Sequence, residues 1–144
     1  MKSKSVRHVG LVVKDVNKSL FFYKSLLGFE VEKDQIESGD YIDFFLGLNN
    51  VKVRTIKMSL GSGSMIELLH FDNPESDGDP LGLTNFGCTH VALTVDNLEA
   101  LYRNLLKHDI AFVNEPHISP DGKARVAFCR DPNGIFLELV EELE

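Results

Sequence analysis

The chain has 144 residues, 43% apolar and 26% charged, which suits one ordinary globular domain with a real core. Its net charge of −7 leaves no dense basic patch beyond Lys2, Lys4 and Arg7, so a small molecule or a protein, not nucleic acid, is the expected partner. No apolar run reaches the ~18 residues of a membrane span, and residues 1–6 are too polar for a signal peptide, so a soluble, cytoplasmic protein is expected.

A first strand opens at His8 and runs through Val9-Gly10-Leu11-Val12-Val13. Asp15 or Asn17 then caps a helix. Its apolar positions Leu20, Tyr23, Leu26 and Leu27 fall at helical spacing, and Gly28 ends it. After a second strand, residues 41–46 read as a short helix. Its Tyr41, Phe44 and Phe45 are candidates for the wall of a binding pocket. A third strand over residues 51–60 turns at Gly61-Ser62-Gly63-Ser64 into a fourth, Met65-Ile66-Glu67-Leu68-Leu69. Residues 72–87 carry Pro74, Gly78, Pro80, Gly82 and Gly87 and read as a linker.

The second half restarts with the strand His90-Val91-Ala92-Leu93-Thr94-Val95. Asp96 or Asn97 caps a helix with the stripe Leu98, Leu101, Leu105 and Leu106. His117 precedes the turn Ser119-Pro120-Asp121-Gly122, and a strand bearing Arg125 follows. The turn Asp131-Pro132-Asn133-Gly134 leads to the last strand, Phe136-Leu137-Glu138-Leu139-Val140. Cys88 and Cys129 are expected as reduced, buried thiols.

The two halves are one pattern written twice. The first strands and helices align at an offset of 82, His8 on His90. The closing hairpins align at an offset of 71, Arg54 on Arg125 and Glu67 on Glu138. The difference is an insertion of about eleven residues in the first half, the one with the aromatic helix. The expected fold is α+β: a single domain over residues 1–144 built from two βαβββ modules, 5–71 and 88–142, joined by 72–87. Together they form a cupped, mostly antiparallel mixed sheet.

A single Glu between strand hydrophobes usually just faces solvent. Two at matching positions, with two His also at matching positions, point instead to a shared task. Neutral imidazole and ionised carboxylate are ligands for a borderline or hard divalent ion, and the ion removes the cost of burying the carboxylates. His8, Glu67, His90 and Glu138 are therefore the expected ligands of one divalent cation inside the cup. Zn, Ni, Co, Mn and Fe all suit this donor set.

The segments Arg7-His8-Val9-Gly10-Leu11-Val12-Val13, Phe22-Tyr23 through Phe29, Ile66-Glu67-Leu68, Thr89-His90-Val91-Ala92 and Asp131-Pro132-Asn133-Gly134 through Glu138 resemble the vicinal oxygen chelate superfamily. That superfamily includes glyoxalase I, methylmalonyl-CoA epimerase, extradiol dioxygenases and the bleomycin-resistance proteins. The order His, Glu, His, Glu is similar to the glyoxalase I pattern. The resemblance implies a metal-dependent isomerase or lyase, like lactoylglutathione lyase, that moves a proton next to a carbonyl through a metal-bound enediolate. Glu138 is the expected base and Glu67 its partner acid or base. An acyl-CoA epimerase is the second reading. Epimerases of this family carry a catalytic Glu on the strand before Glu67, where this chain has Lys52, Arg54 and Lys57. A non-catalytic small-molecule binding or resistance protein is the third. The substrate is expected to be a thiol adduct or an acyl-CoA. Arg54, Arg125, Lys123 and His117 are candidates for holding it. A homodimer is expected, with each site either within one chain or shared between two.

Overall fold

A computed structural model describes residues 1–144. The chain divides into two compact units, Met1–Gly78 and Asp79–Glu144. The first holds β1 (Val9–Val12), α1 (Val16–Leu20), a π-helical turn (Phe21–Leu26), β2 (Glu30–Ser38), α2 (Asp40–Leu46), β3 (Lys52–Ser59) and β4 (Met65–Asn73). The second holds β5 (His90–Thr94), α3 (Leu98–Lys107), β6 (His117–Ile118), β7 (Ala124–Arg130) and β8 (Phe136–Glu142). Both are βαβββ units of mixed sheet, and α2 is the insertion that only the first carries.

Each unit makes its own four-stranded sheet, in the orders β1-β4-β3-β2 and β5-β8-β7-β6. No strand hydrogen-bonds across to the other sheet. The reason is local: the first strand of each unit is bonded by the last strand of the same unit, in parallel, and every other pairing is antiparallel. The registers reproduce the sequence repeat. Gly10 lies opposite Glu67 and Ala92 opposite Glu138, each residue displaced by the offset found for its segment.

Alternation along the strands sets which side chains share a face. In the first unit Leu11, Ile56, Met58, Ile66 and Leu68 fall on one face and are buried. Burying each such side chain contributes about 1.5–3 kcal/mol, and a slip of one residue would turn all of them to water. That burial fixes the register, and with it the placement of Glu67 on the opposite face. In the second unit Leu137, Leu139, Ala127 and Cys129 make the corresponding buried face, against which α3 packs.

Asp15 caps α1 by accepting from the Lys18 amide at 3.0 Å, and Asn97 caps α3 by accepting from the Ala100 amide at 2.9 Å. The first helix departs from the expected stripe. Its amides shift to i−5 bonding (Leu27 N to Phe22 O, 3.0 Å), and the adjacent Phe22 and Tyr23 are both buried. Leu20, Leu26 and Leu27 are only half-buried. Gly28 leaves this helix at φ +82°, a conformation that favours glycine. Leu98 and Leu105 are the buried positions of α3, while Leu106 faces solvent. Cys129 is buried as expected, and desolvation pushes its thiol up to about 12. Cys88 is exposed, because it precedes β5 instead of lying within it. No helix is long and apolar enough to cross a membrane.

Candidate metal centre

The four expected ligands form two pairs, one in each unit. His8 stands just before β1, and Glu67 lies in the parallel neighbour β4. His8 Nε2 is 3.6 Å from Glu67 Oε1. His90 opens β5, with Glu138 on its parallel neighbour β8, and His90 Nε2 is 3.3 Å from Glu138 Oε2. The residue facing each Glu across the parallel pair is small, Gly10 or Ala92, and both are exposed. Neither side chain can cover the carboxylate.

The 3.3 Å separation suits two ligands of one ion. Two donors each about 2.1 Å from a metal, at angles between octahedral and tetrahedral, lie roughly 3.0–3.4 Å apart. Good N–H···O hydrogen bonds are shorter, about 2.7–3.2 Å. The His90–Glu138 separation of 3.3 Å falls within the ligand range, while His8–Glu67 at 3.6 Å lies beyond both ranges and would have to close slightly on an ion. The imidazole of His90 is also held from behind: its Nδ1 lies 3.1 Å from the Thr89 hydroxyl. A His ligand needs its Nε2 lone pair free, and a hydroxyl that accepts from Nδ1–H selects that tautomer. The Phe128 ring meets His90 edge-on, with centroids 5.2 Å apart. No group of three or more His, Cys, Asp or Glu side chains that could hold a metal forms within either unit.

The turn that feeds Glu138 into place is tightly built. Asp131 is buried, and its Oδ1 accepts from the amides of Asn133 (2.8 Å) and Ile135 (2.9 Å). Its Oδ2 accepts from Asn133 Nδ2 at 3.0 Å. Gly134 sits at φ +88°, and a Cβ there would lie 3.1 Å from Pro80 Cγ.

The candidate substrate-binding residues scatter. Arg54 and Arg125 lie on the buried core faces of their sheets, opposite the faces that carry Glu67 and Glu138. Arg54 is clamped bidentately on Asp34, at 2.9 and 2.7 Å. The Arg54 hydrogen bonds hold the Asp34 carboxyl below its usual range. Arg125 donates to Glu141 Oε2 at 3.2 Å, and the same oxygen accepts from the Leu98 amide at the start of α3. Both arginines thus serve the fold. Lys123 is exposed beyond the turn in which Asp121 accepts from Ser119 Oγ (2.6 Å) and the Lys123 amide (3.0 Å). His117 pairs with Val126 on the Glu138 face of its sheet and is exposed.

The helix α2 lies on the Glu67 face: Ile42 packs with Val51 and Val53, against Leu69 and Phe71. Tyr41, Phe44 and Phe45 are exposed, with Tyr41 and Phe45 stacked. His70 is half-buried and donates from Nδ1 to the Val13 carbonyl at 3.1 Å. Two residues of the site escaped the sequence reading. Thr89 adjoins His90, and a hydroxyl beside a ligand histidine was a usable signal. Lys57 lies directly across β3 from Glu67, which only the register reveals.

The sequence profile of the glyoxalase/bleomycin resistance protein/dioxygenase superfamily matches residues 5–139. An uncharacterised Bacillus subtilis protein, YwkD, is 32% identical, over 99% of this chain and 100% of its own length. A probable lactoylglutathione lyase of Synechocystis is 30% identical, over 93% of this chain and 92% of its own. Among solved structures, a glyoxalase family protein from Bacillus cereus superposes with a TM-score of 0.90 at 26% identity, covering 99% of this chain and 98% of that one.

Proposed function

The chain belongs to the glyoxalase/bleomycin resistance protein/dioxygenase superfamily, and from that premise we propose that it is a metal-dependent isomerase or lyase of glyoxalase type. The observation that carries this reading is the repeated His–Glu pairing on parallel strands, at 3.6 and 3.3 Å, at positions related by the internal repeat. His8, Glu67, His90 and Glu138 would hold one divalent ion. A homodimer in which each site takes His8 and Glu67 from one copy and His90 and Glu138 from the other would complete this ligand set. The likeness to a probable lactoylglutathione lyase supports the same chemistry.

The ion, when bound, would polarise a carbonyl and stabilise negative charge developing on its oxygen. The chain's own residues handle the proton. Glu138 takes it from the carbon next to the carbonyl and returns it to the neighbouring carbon, with Glu67 as partner acid or base. Glu138 is the more reachable of the two, its side chain 27% exposed against 14% for Glu67. Thr89 keeps His90 oriented, and Phe128 shields one edge of that ring from water.

Solvent deuterium exchange into the hemithioacetal of methylglyoxal tests this reading. Glu138→Gln should slow exchange by about 10²–10⁴-fold while the protein keeps its metal. Full turnover in that variant would show that the proton passes elsewhere.

A further inference from the structure

The two half-sites share a ligand pair but differ in what stands beside it. Directly across the sheet from Glu138, on β7, is Phe128; the repeat-related position across from Glu67, on β3, is Lys57. Directly opposite Lys57, on β2, is Lys33. Gly10, Glu67, Lys57 and Lys33 thus form one file across one face of the first sheet.

Facing cross-strand residues have Cβ atoms about 4.5–5.5 Å apart, and like charges so placed destabilise a sheet. The one carboxylate in the file is Glu67, and no ion pair joins it or any other acid to Lys57 or Lys33. Glu67 is turned to His8, and Glu32, beside them, bonds the Ser59 hydroxyl. Asp34, the other nearby acid, is taken by Arg54 on the opposite face. Lys57 is half-buried, so its charge is screened less than a free surface lysine's. A chain of net charge −7 therefore sets two ammonium groups in file with a single carboxylate, Glu67, which is itself a proposed metal ligand turned to His8.

We propose that Lys57, assisted by Lys33, binds an anionic oxygen of the substrate. The substrate is then an anion whose charge lies one strand away from the chelated oxygens. This rests on the metal-dependent reading above and narrows it to a substrate class. Lys57 is a specificity residue here: it binds and orients, and takes no part in moving the proton.

Isothermal titration of the metal-loaded protein with two hydroxamates tests the idea without turnover. Acetohydroxamate offers two adjacent chelating oxygens and an uncharged methyl group; malonohydroxamate offers the same chelate and a carboxylate. Wild type should bind the carboxylate-bearing probe about tenfold more tightly, the scale of one hydrogen bond to a charged group. Lys57→Gln should abolish that preference, with acetohydroxamate binding unchanged as proof that the variant is folded. Lys33→Gln should reduce it, and Lys57→Arg, like Lys18→Gln on the distant α1, should keep it. A preference that survives in Lys57→Gln, or its absence in wild type, overturns the proposal and leaves the metal reading standing. Failure of wild type to bind either hydroxamate overturns the metal reading, and the proposal falls with it.

Discussion

Mixing two inactive variants distinguishes a shared site from one contained in a single chain. Take His8→Ala and His90→Ala, each of which removes one imidazole from a different pair. If each site draws one pair from each of two chains, both homodimeric variants have a damaged ligand set in both sites. A heterodimer differs. One of its sites combines both lesions, and the other combines the intact His8–Glu67 pair of one chain with the intact His90–Glu138 pair of its partner. Random pairing makes about half the dimers hybrid, each with one good site of two, so the mixture should regain about a quarter of wild-type tightly bound metal and exchange activity. Hybrids purified through two different affinity tags should reach about half. The assay is elemental analysis after dialysis against a weak chelator, with deuterium exchange as the second readout. A mixture no better than the average of its parents would refute the sharing of ligands between chains.

Three further outcomes follow from particular contacts. Asp131→Ala leaves two backbone amides of a buried turn without their acceptor; at 1–3 kcal/mol per unsatisfied group it should cost about 3 kcal/mol and lower Tm by roughly 6–12 °C in scanning calorimetry, and a fall within about 2 °C would contradict the role given to this turn. Thr89→Val removes the hydroxyl behind His90 with little change in shape; metal affinity by chelator competition should drop about 10-fold or more, and an unchanged affinity would remove Thr89 from the site. The Asp34 carboxyl is lowered in the folded state by Arg54, so the pair's contribution is present above the unfolded carboxyl's range near 3.8 and is lost as pH falls through the folded value. Because the pair is exposed, Arg54→Met should lose no more than about 1 kcal/mol at pH 7 in denaturant titrations. That deficit should shrink below pH ~4; a deficit that grows on acidification would reverse the sign argued here.

Much of the architecture was readable from residues because burial enforces it locally. The alternation of Ile66, Glu67 and Leu68, repeated at Leu137, Glu138 and Leu139, can be satisfied only with one face buried and the Glu on the other. The caps at Asp15 and Asn97 and the turn at Asp131 follow from side chains that bond their own backbone. The π-helical turn was not readable, since Leu20, Tyr23, Leu26 and Leu27 fit an ordinary helix equally well and tertiary packing of Phe22 decided the matter. Nor was the separation into two sheets, which depends on which partner each parallel strand finds.

The arginines show where the repeat argument needs care. Arg54 and Arg125 match between the halves as cleanly as the glutamates do, yet both are salt-bridged on the face opposite the glutamates, Arg54 to Asp34 and Arg125 to Glu141. A matched position marks a constraint common to both halves, and that constraint is as often the sheet's own electrostatics as a ligand's. Substrate choice is a different kind of demand, because a substrate has two unlike ends. It should be written where the halves disagree: Lys57 against Phe128, and the aromatic helix α2 against nothing. On this reasoning the matched residues hold the metal and the fold, and the unmatched ones on the Glu67 and Glu138 faces tell one substrate from another.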